Sequence, residues 1–273
     1  MGNKVISINR LYIIEGLPCS GKSTVSAFVA DELKKSCKVC YVDEGGGNHP
    51  ADYEFHSFLG KSDLFSFSDE EQSEILAFSD KQNDGFIVPL KNFSGEIFEK
   101  LLQYKIYDFL PWKTEQRVML GKWKSFVQSS DKETVYVFNC VLLQNPMCET
   151  MMRFGFDANE SEIYIAQIAE IIKPMHPLVI YLKNNYIRTS VEFASKERDG
   201  WLENVIDYHV NGAYGKSINA QGFDGYIACL EERQKRELEI LSRLDIESIV
   251  VDNPQADWNN AYEEIKKFME VTL

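Results

Sequence analysis

The chain is short of positive charge. Its 273 residues hold 29 Lys and Arg against 42 Asp and Glu, a net charge of −13 with histidines neutral. A phosphate backbone is gripped through clustered cations, so so acidic a chain argues against a nucleic-acid binder and requires that any anionic ligand be captured at one local site. Long apolar runs are also missing: none approaches the roughly 20 residues of a membrane span, and no membrane partner is expected. The first ten residues lack the apolar core and small-residue cleavage site of a signal peptide, which points to a cytoplasmic protein. Cysteine is sparse, and the six (Cys19, Cys37, Cys40, Cys140, Cys148 and Cys229) sit mostly in apolar segments, where they read as buried thiols. Cys37 and Cys40 spell C-x-x-C, but no second pair at zinc spacing completes four ligands. Internal repeats, low-complexity tracts and flexible linkers are absent as well. The 44% apolar and 26% charged content is that of a soluble globular domain.

What is present is an alternation of short apolar runs and helical periodicity. Residues 11–15 (Leu-Tyr-Ile-Ile-Glu) form a β-rich run that stops at Gly16, and amphipathic sequence follows from Lys22 to about Lys35. A second strand at 39–42 ends at Asp43-Glu44 and a Gly45-Gly46-Gly47 turn. Residues from about 50 to 132 become a polar and aromatic excursion with helical spacing at 70–78, 93–109 and 114–127. A third strand, 134–138, is almost wholly β-branched or aromatic, as expected under helices on both faces. A helix at 160–172, a fourth strand at 178–182, charged helical sequence at 187–208, a further helix at 223–244, a strand at 246–251 and an amphipathic helix at 257–271 complete the chain. Five apolar strands joined by helices imply an α/β fold: a five-stranded parallel sheet with helices on both faces and a large helical insertion, in one domain over 1–273. Ligands of such sheets bind at the carboxyl ends of the strands.

The residues from Gly16 to Ser23, Gly-Leu-Pro-Cys-Ser-Gly-Lys-Ser, match G-x-x-x-x-G-K-[ST] between a strand and a helix, with Thr24 following. Gly16 and Gly21 let the backbone curl. The loop Pro18-Cys19-Ser20-Gly21 then turns the N–H groups that follow the proline, and the start of the helix, toward an anion. Lys22 neutralises β- and γ-phosphate charge, and the Ser23 hydroxyl is placed for Mg²⁺. ATP and Mg²⁺ are therefore the expected cofactors.

This order of strand, phosphate loop, helix, acid-terminated strand, helical excursion and late charged helix resembles the nucleoside and nucleotide kinases, near the deoxynucleoside and thymidylate kinases. The likeness spans the core of nearly the whole chain and is specific at Gly16 to Thr24. It implies a P-loop NTPase fold. It also implies a base toward the acceptor hydroxyl at Asp43 or Glu44, with Asp43 sharing the metal, and a lid over about 184–217 whose Arg188, Lys196 and Arg198 close on the phosphates. The loop at Asn253-Pro254 falls where such kinases embrace the adenine. One position departs from the family: the third strand ends in Asn139-Cys140 rather than an acid, and an amide cannot neutralise charge.

Other residues offer contacts to an acceptor. His49 and Asp52 follow the triple glycine, Gln144 and Asn145 follow the third strand, and Arg153 stands at helical spacing from Glu149. The expected activity is transfer of the ATP γ-phosphate to a hydroxyl of a small-molecule acceptor, with a homodimer left open. The alternative is a nucleotide-binding regulatory module. A GTPase would need N-K-x-D after the fourth strand, where Leu182-Lys183-Asn184-Asn185 stands, and a transport ATPase would need L-S-G-G-Q.

Overall fold

The computed structural model of the protein describes residues 9–272, with side chains described to residue 270. The chain forms two compact units, one of residues up to Glu44 and from Trp123 onward, the other Gly45–Lys122.

The first unit contains β1 (Leu11–Gly16), α1 (Lys22–Lys34) and β2 (Lys38–Val42). The second contains β3 (His56–Gly60), α2 (Asp69–Phe78), β4 (Asp80–Lys81), β5 (Gly85–Pro89), α3 (Gly95–Leu102) and α4 (Ile106–Phe109). Helix α5 (Trp112–Ser129) begins in the second unit and ends in the first. The first unit resumes with β6 (Thr134–Asn139), α6 (Gln144–Met147), a π-helical stretch Cys148–Arg153, α7 (Ala158–Ile172) and β7 (Pro177–Lys183). Helices α8 (Ile187–Ser195), α9 (Trp201–Asn211), α10 (Ala213–Ser217) and α11 (Gly222–Leu241) follow, then β8 (Glu247–Asp252) and α12 (Trp258–Thr272).

The five strands of the first unit form one parallel sheet in the order β2-β6-β1-β7-β8. β1 is central and wholly buried, with Ile14 level with Asn139 on one side and Ile180 on the other. Its unbroken apolar run follows from burial on both faces. On one face, Tyr12, Ile14, Val137 and Ile180 pack against Val25, Val29 and Leu33 of α1 and Ala261, Ile265 and Met269 of α12. On the other, Trp123 and Phe126 of α5 meet Tyr136 and Phe138, and Tyr181 bonds to Glu237 of α11. The chain leaves β1 toward β2 on one side, and its later strand β7 lies on the other, so the crevice opens at the carboxyl end of β1.

The second unit, 45–122, carries an antiparallel sheet, β3-β5-β4, beside its helices, where the excursion expected over about 50–132 was read as helical. Leu59, Ile75, Val88 and Leu101 belong to its core. The strands were illegible because they are five, five and two residues long and carry His, Gly and Pro. Two helices expected to be continuous are broken. The 93–109 segment divides after Leu102, and α4 is kinked by Asp108 at φ 79°. The 187–208 segment divides at Gly200, which takes φ 71° between α8 and α9. Among the described residues no helix is long and apolar enough to cross a membrane.

Each unit buries one neutral histidine. Burial holds His209 down to about 4 and His49 to about 3, with the charges of Arg233 and Lys122 respectively adding to the effect. Both folded values lie below the ordinary 6.5, so the stability these groups contribute is complete above pH 6.5 and is lost as acid protonates the unfolded chain first. Denaturant unfolding should lose on the order of 2 to 3 kcal/mol per histidine as pH falls from 6.5 toward 4. His209→Phe should flatten the profile by one histidine's share, and an unchanged profile in that variant would contradict the assignment.

Candidate functional site: a phosphate loop and its cleft

β1 ends at Gly16 and the chain turns through Leu17-Pro18-Cys19-Ser20 into α1. Gly16, Cys19 and Gly21 take positive φ of 139°, 64° and 94°. A Cβ on Gly16 would stand 2.6 Å from the Leu182 carbonyl oxygen of β7, and one on Gly21 would stand 2.5 Å from the Trp258 ring. Close approach therefore demands glycine at both ends of the loop. Cys19 bears the remaining left-handed turn, and its carbonyl accepts a hydrogen bond from Gln255 Nε2 at 2.5 Å. No side chain caps the first turn of α1, which leaves its leading amides and the positive end of its dipole for an anion. Lys22 is 7% exposed, and its Nζ donates to the Leu17 carbonyl at 2.9 Å. An ammonium has three protons, so two remain for phosphate oxygens. The buried Ser20 hydroxyl has no hydrogen-bond partner.

The ends of β2 and β6 and the start of α1 bring three oxygen-bearing side chains together. Asn139 Nδ2 donates to Asp43 Oδ1 at 2.9 Å and makes a longer contact of 3.4 Å to Ser23 Oγ. Its own Oδ1 is buried without a partner. Hydroxyl, carboxylate and amide oxygens are hard donors of the kind Mg²⁺ takes, and an orphaned carbonyl oxygen among them fits a cation or one of its waters. The donor set therefore fits Mg²⁺ with one formal charge from Asp43 and none from Asn139. Beside it, Gln144 Nε2 donates to Glu44 Oε1 at 3.3 Å. The two acids after β2 are thus held differently: Asp43 by the amide at the end of β6, Glu44 by the amide at the start of α6.

A cleft of about 720 Å³ runs along the loop. It is lined by Pro18, Cys19, Gly21, Lys22, Ser23 and Thr24, by Glu44 and Gln144, and by Glu197, Arg198 and Trp201 beyond α8. The Arg198 guanidinium lies 5.4 Å from the Trp201 ring centre, next to the left-handed turn at Gly200. Burial raises the Cys19 thiol's pKa, and the charges of Arg198 and Lys22 draw it back, which places both cations around the loop. Phe193 and Trp258 add aromatic surface to the walls.

Several expected site residues are placed elsewhere. Arg188 pairs with Asp224 of α11 at 2.7 Å and lies 5.0 Å from the Phe223 ring, and it is not among the cleft-lining residues. Asn253 has φ 46° and accepts from the Asn185 amide at 2.7 Å, tying the end of β8 to the end of β7. Gln255 and Trp258, just beyond it, are the residues that reach the loop. Arg153 pairs with Glu149 at 2.7 Å and covers Phe154. The Asn145 amide donates to the Cys140 carbonyl at the start of α6. His49 and Asp52 belong to the second unit. There His49 Nδ1 accepts from the Ala51 amide, and Asp52 accepts from the Tyr53 amide and the Tyr107 hydroxyl.

Glu15 escaped the sequence reading as a site residue. It is fully buried immediately before the loop and accepts three backbone hydrogen bonds, from Leu142 at 2.7 Å, Leu143 at 3.0 Å and Gln144 at 3.1 Å. Burial pushes its carboxyl up to about 7, against the pull of those amides and with Glu237 adding to the rise. One side chain on the central strand thereby fixes the turn between Asn139 and Gln144. The signal was available: Glu15 is the one acid in a strand otherwise apolar up to its terminal glycine.

A central strand followed by this loop and helix, in a five-stranded parallel sheet, is an α/β fold of the P-loop NTPase kind. No protein-family model matches the chain, and no curated protein matches its sequence. Among solved structures it is similar to the thymidylate kinase from Candida albicans, with a TM-score of 0.38 and 13% identity over 96% of this chain and 93% of that one.

Glu15→Leu would leave three buried amides without acceptors. At about 1 kcal/mol or more for each, the variant should lose at least about 3 kcal/mol in denaturant unfolding at neutral pH. A loss below about 1 kcal/mol would show that the 142–144 turn does not depend on this carboxylate.

Proposed function

We propose that the protein is an ATP-dependent phosphotransferase that moves the γ-phosphate of a nucleoside triphosphate to a hydroxyl of a small molecule. The observation that carries the reading is the phosphate loop itself: three left-handed residues, an uncapped helix start and a buried lysine, opening on a cleft that also contains a carboxylate. A purely structural glycine turn needs neither the buried ammonium nor the acid opposite it.

In this reading the loop amides and Lys22 hold the β- and γ-phosphates. Ser23, Asp43 and Asn139 would hold Mg²⁺, which supplies charge neutralisation at the phosphates when bound. Glu44, oriented by Gln144, accepts the proton of the acceptor hydroxyl. The hydroxyl oxygen bonds to the γ-phosphorus as the bond from that phosphorus to the β–γ bridging oxygen breaks, and the electrons of that bond leave with ADP. Arg198 approaches the transferring group from the α8–α9 turn, where its charge persists at any physiological pH. Asn139 in place of an acid also supports the second reading, a nucleotide-binding module with slow hydrolysis, because the metal then has one fewer charged ligand.

ADP release measured across a panel of hydroxyl acceptors separates the two readings. A kinase is stimulated by one acceptor. A module shows nucleotide binding with turnover that no acceptor changes. Glu44→Gln should lower kcat by about a hundredfold or more with little change in the KM for ATP. Asp43→Asn should shift the Mg²⁺ requirement upward. Unaltered turnover in both variants would remove these two acids from the mechanism.

A further inference from the structure

Three side chains lining the cleft are more than nine-tenths buried and still carry polar atoms without hydrogen-bond partners: Arg233 Nη2, His209 Nε2 and Gln144 Oε1. The rest of each is occupied. Arg233 Nη1 reaches Cys148 Sγ at 3.2 Å, and its Nε faces Glu237 Oε1 at 3.1 Å. The other oxygen of Glu237 accepts from the Tyr181 hydroxyl at 2.6 Å. His209 Nδ1 stands 2.7 Å from the Val205 carbonyl, which can only accept. The proton therefore sits on Nδ1, and Nε2 presents a lone pair. The ring is held edge-on against Tyr226, 4.8 Å between centres. Gln144 spends its Nε2 on Glu44, which leaves its oxygen free.

A buried polar atom without a partner costs about 1 to 3 kcal/mol, and native structures leave few of them. Three in one cleft wall, one donor and two acceptors, constitute a ligand's complement. We infer that this wall is the acceptor subsite and that it takes a neutral, hydroxyl-bearing group such as a sugar ring, rather than a second phosphate or a carboxylate. This rests on the kinase reading above. An ionised phosphate or carboxylate would suit Arg233 but would turn oxygens toward the lone pairs of His209 and Gln144. The Arg233 charge is also already balanced by Glu237, so the wall has no net positive charge with which to draw an anion from water. A hydroxyl donates as well as accepts, and adjacent hydroxyls satisfy all three atoms. Because Gln144 holds Glu44 with its amide nitrogen, a hydroxylated ligand seated on its oxygen is brought beside the proposed base.

The test uses matched probes that differ by one phosphate: glucose with glucose 6-phosphate, and uridine with uridine 5′-monophosphate, each added to the protein with MgATP and scored by ADP release. A neutral member should stimulate release at least tenfold, and its phosphorylated counterpart should not. His209→Phe keeps the ring and removes the acceptor atom; it should raise the KM for that neutral probe about tenfold while the KM for ATP stays within threefold. Arg233→Met made together with Glu237→Gln removes the charge pair without stranding either member, and should do the same. Stimulation only by phosphorylated probes, stimulation by none of the four, or an unmoved acceptor KM in both variants would overturn the inference. If MgATP itself fails to bind, the kinase reading falls first, and that result is distinguishable from the loss of the subsite alone.

Discussion

The site depends on a steric constraint at the carboxyl end of one buried strand. Gly16 lies so close to the Leu182 carbonyl, and Gly21 so close to the Trp258 ring, that neither could bear a side chain without displacing its neighbour. These approaches force the chain through a left-handed path in which amides converge instead of alternating. Convergent amides repel one another electrostatically, so the arrangement favours an anion at its centre. Main-chain geometry at eight residues would let an otherwise acidic protein capture a phosphate chain, with the ammonium of Lys22 buried beside it.

Around that loop, buried carboxylates do positional work. Glu15 gathers three amides of the turn after β6 and so sets where Asn139 and Gln144 stand. Those two amides then sort the acids after β2, with Asp43 held by Asn139 near Ser23 and Glu44 held by Gln144 on the cleft. Deeper still, Glu237 balances Arg233 and accepts from Tyr181. Buried ion pairs contribute little net stability because desolvation offsets attraction, but each partner fixes the other's orientation. The polar groups lining the cleft thus rest on a layer of charge that water does not reach.

How much of this was legible in the chain follows from the length scale of each signal. The five parallel strands and the loop are local: each is a short run whose apolar character or glycine spacing identifies it directly. The helical breaks at Gly200 and Asp108 are single-residue events that periodicity averages away. The antiparallel sheet of the second unit escaped because its strands are short and its pairing joins His56 to Pro89, residues 33 apart with no period-2 pattern between them. Asp43, Glu44, Gln144 and Arg198 were singled out from their places at strand ends and in the charged stretch after β7, and the last three line the cleft while Asp43 bonds to Asn139 beside it. Arg188 and Asn253 occupy the right segments but turn to Asp224 and Asn185, a distinction made by side-chain direction alone. Arg233 and His209 were invisible because each lies on a helix face that reads as ordinary amphipathic sequence. They share a wall only because α9 and α11 fold back on each other and meet Gln144 of α6, far earlier in the chain.

The central claim is that the loop binds the phosphates of a nucleotide and that Lys22 supplies much of the attraction. Isothermal titration of MgATP into the folded wild-type protein and into Lys22→Ala tests it most directly. The account predicts a one-to-one binding heat for the wild type and its loss in the variant, whose circular dichroism should stay native. Absence of heat in the wild type, or equal affinity in both proteins, would contradict it.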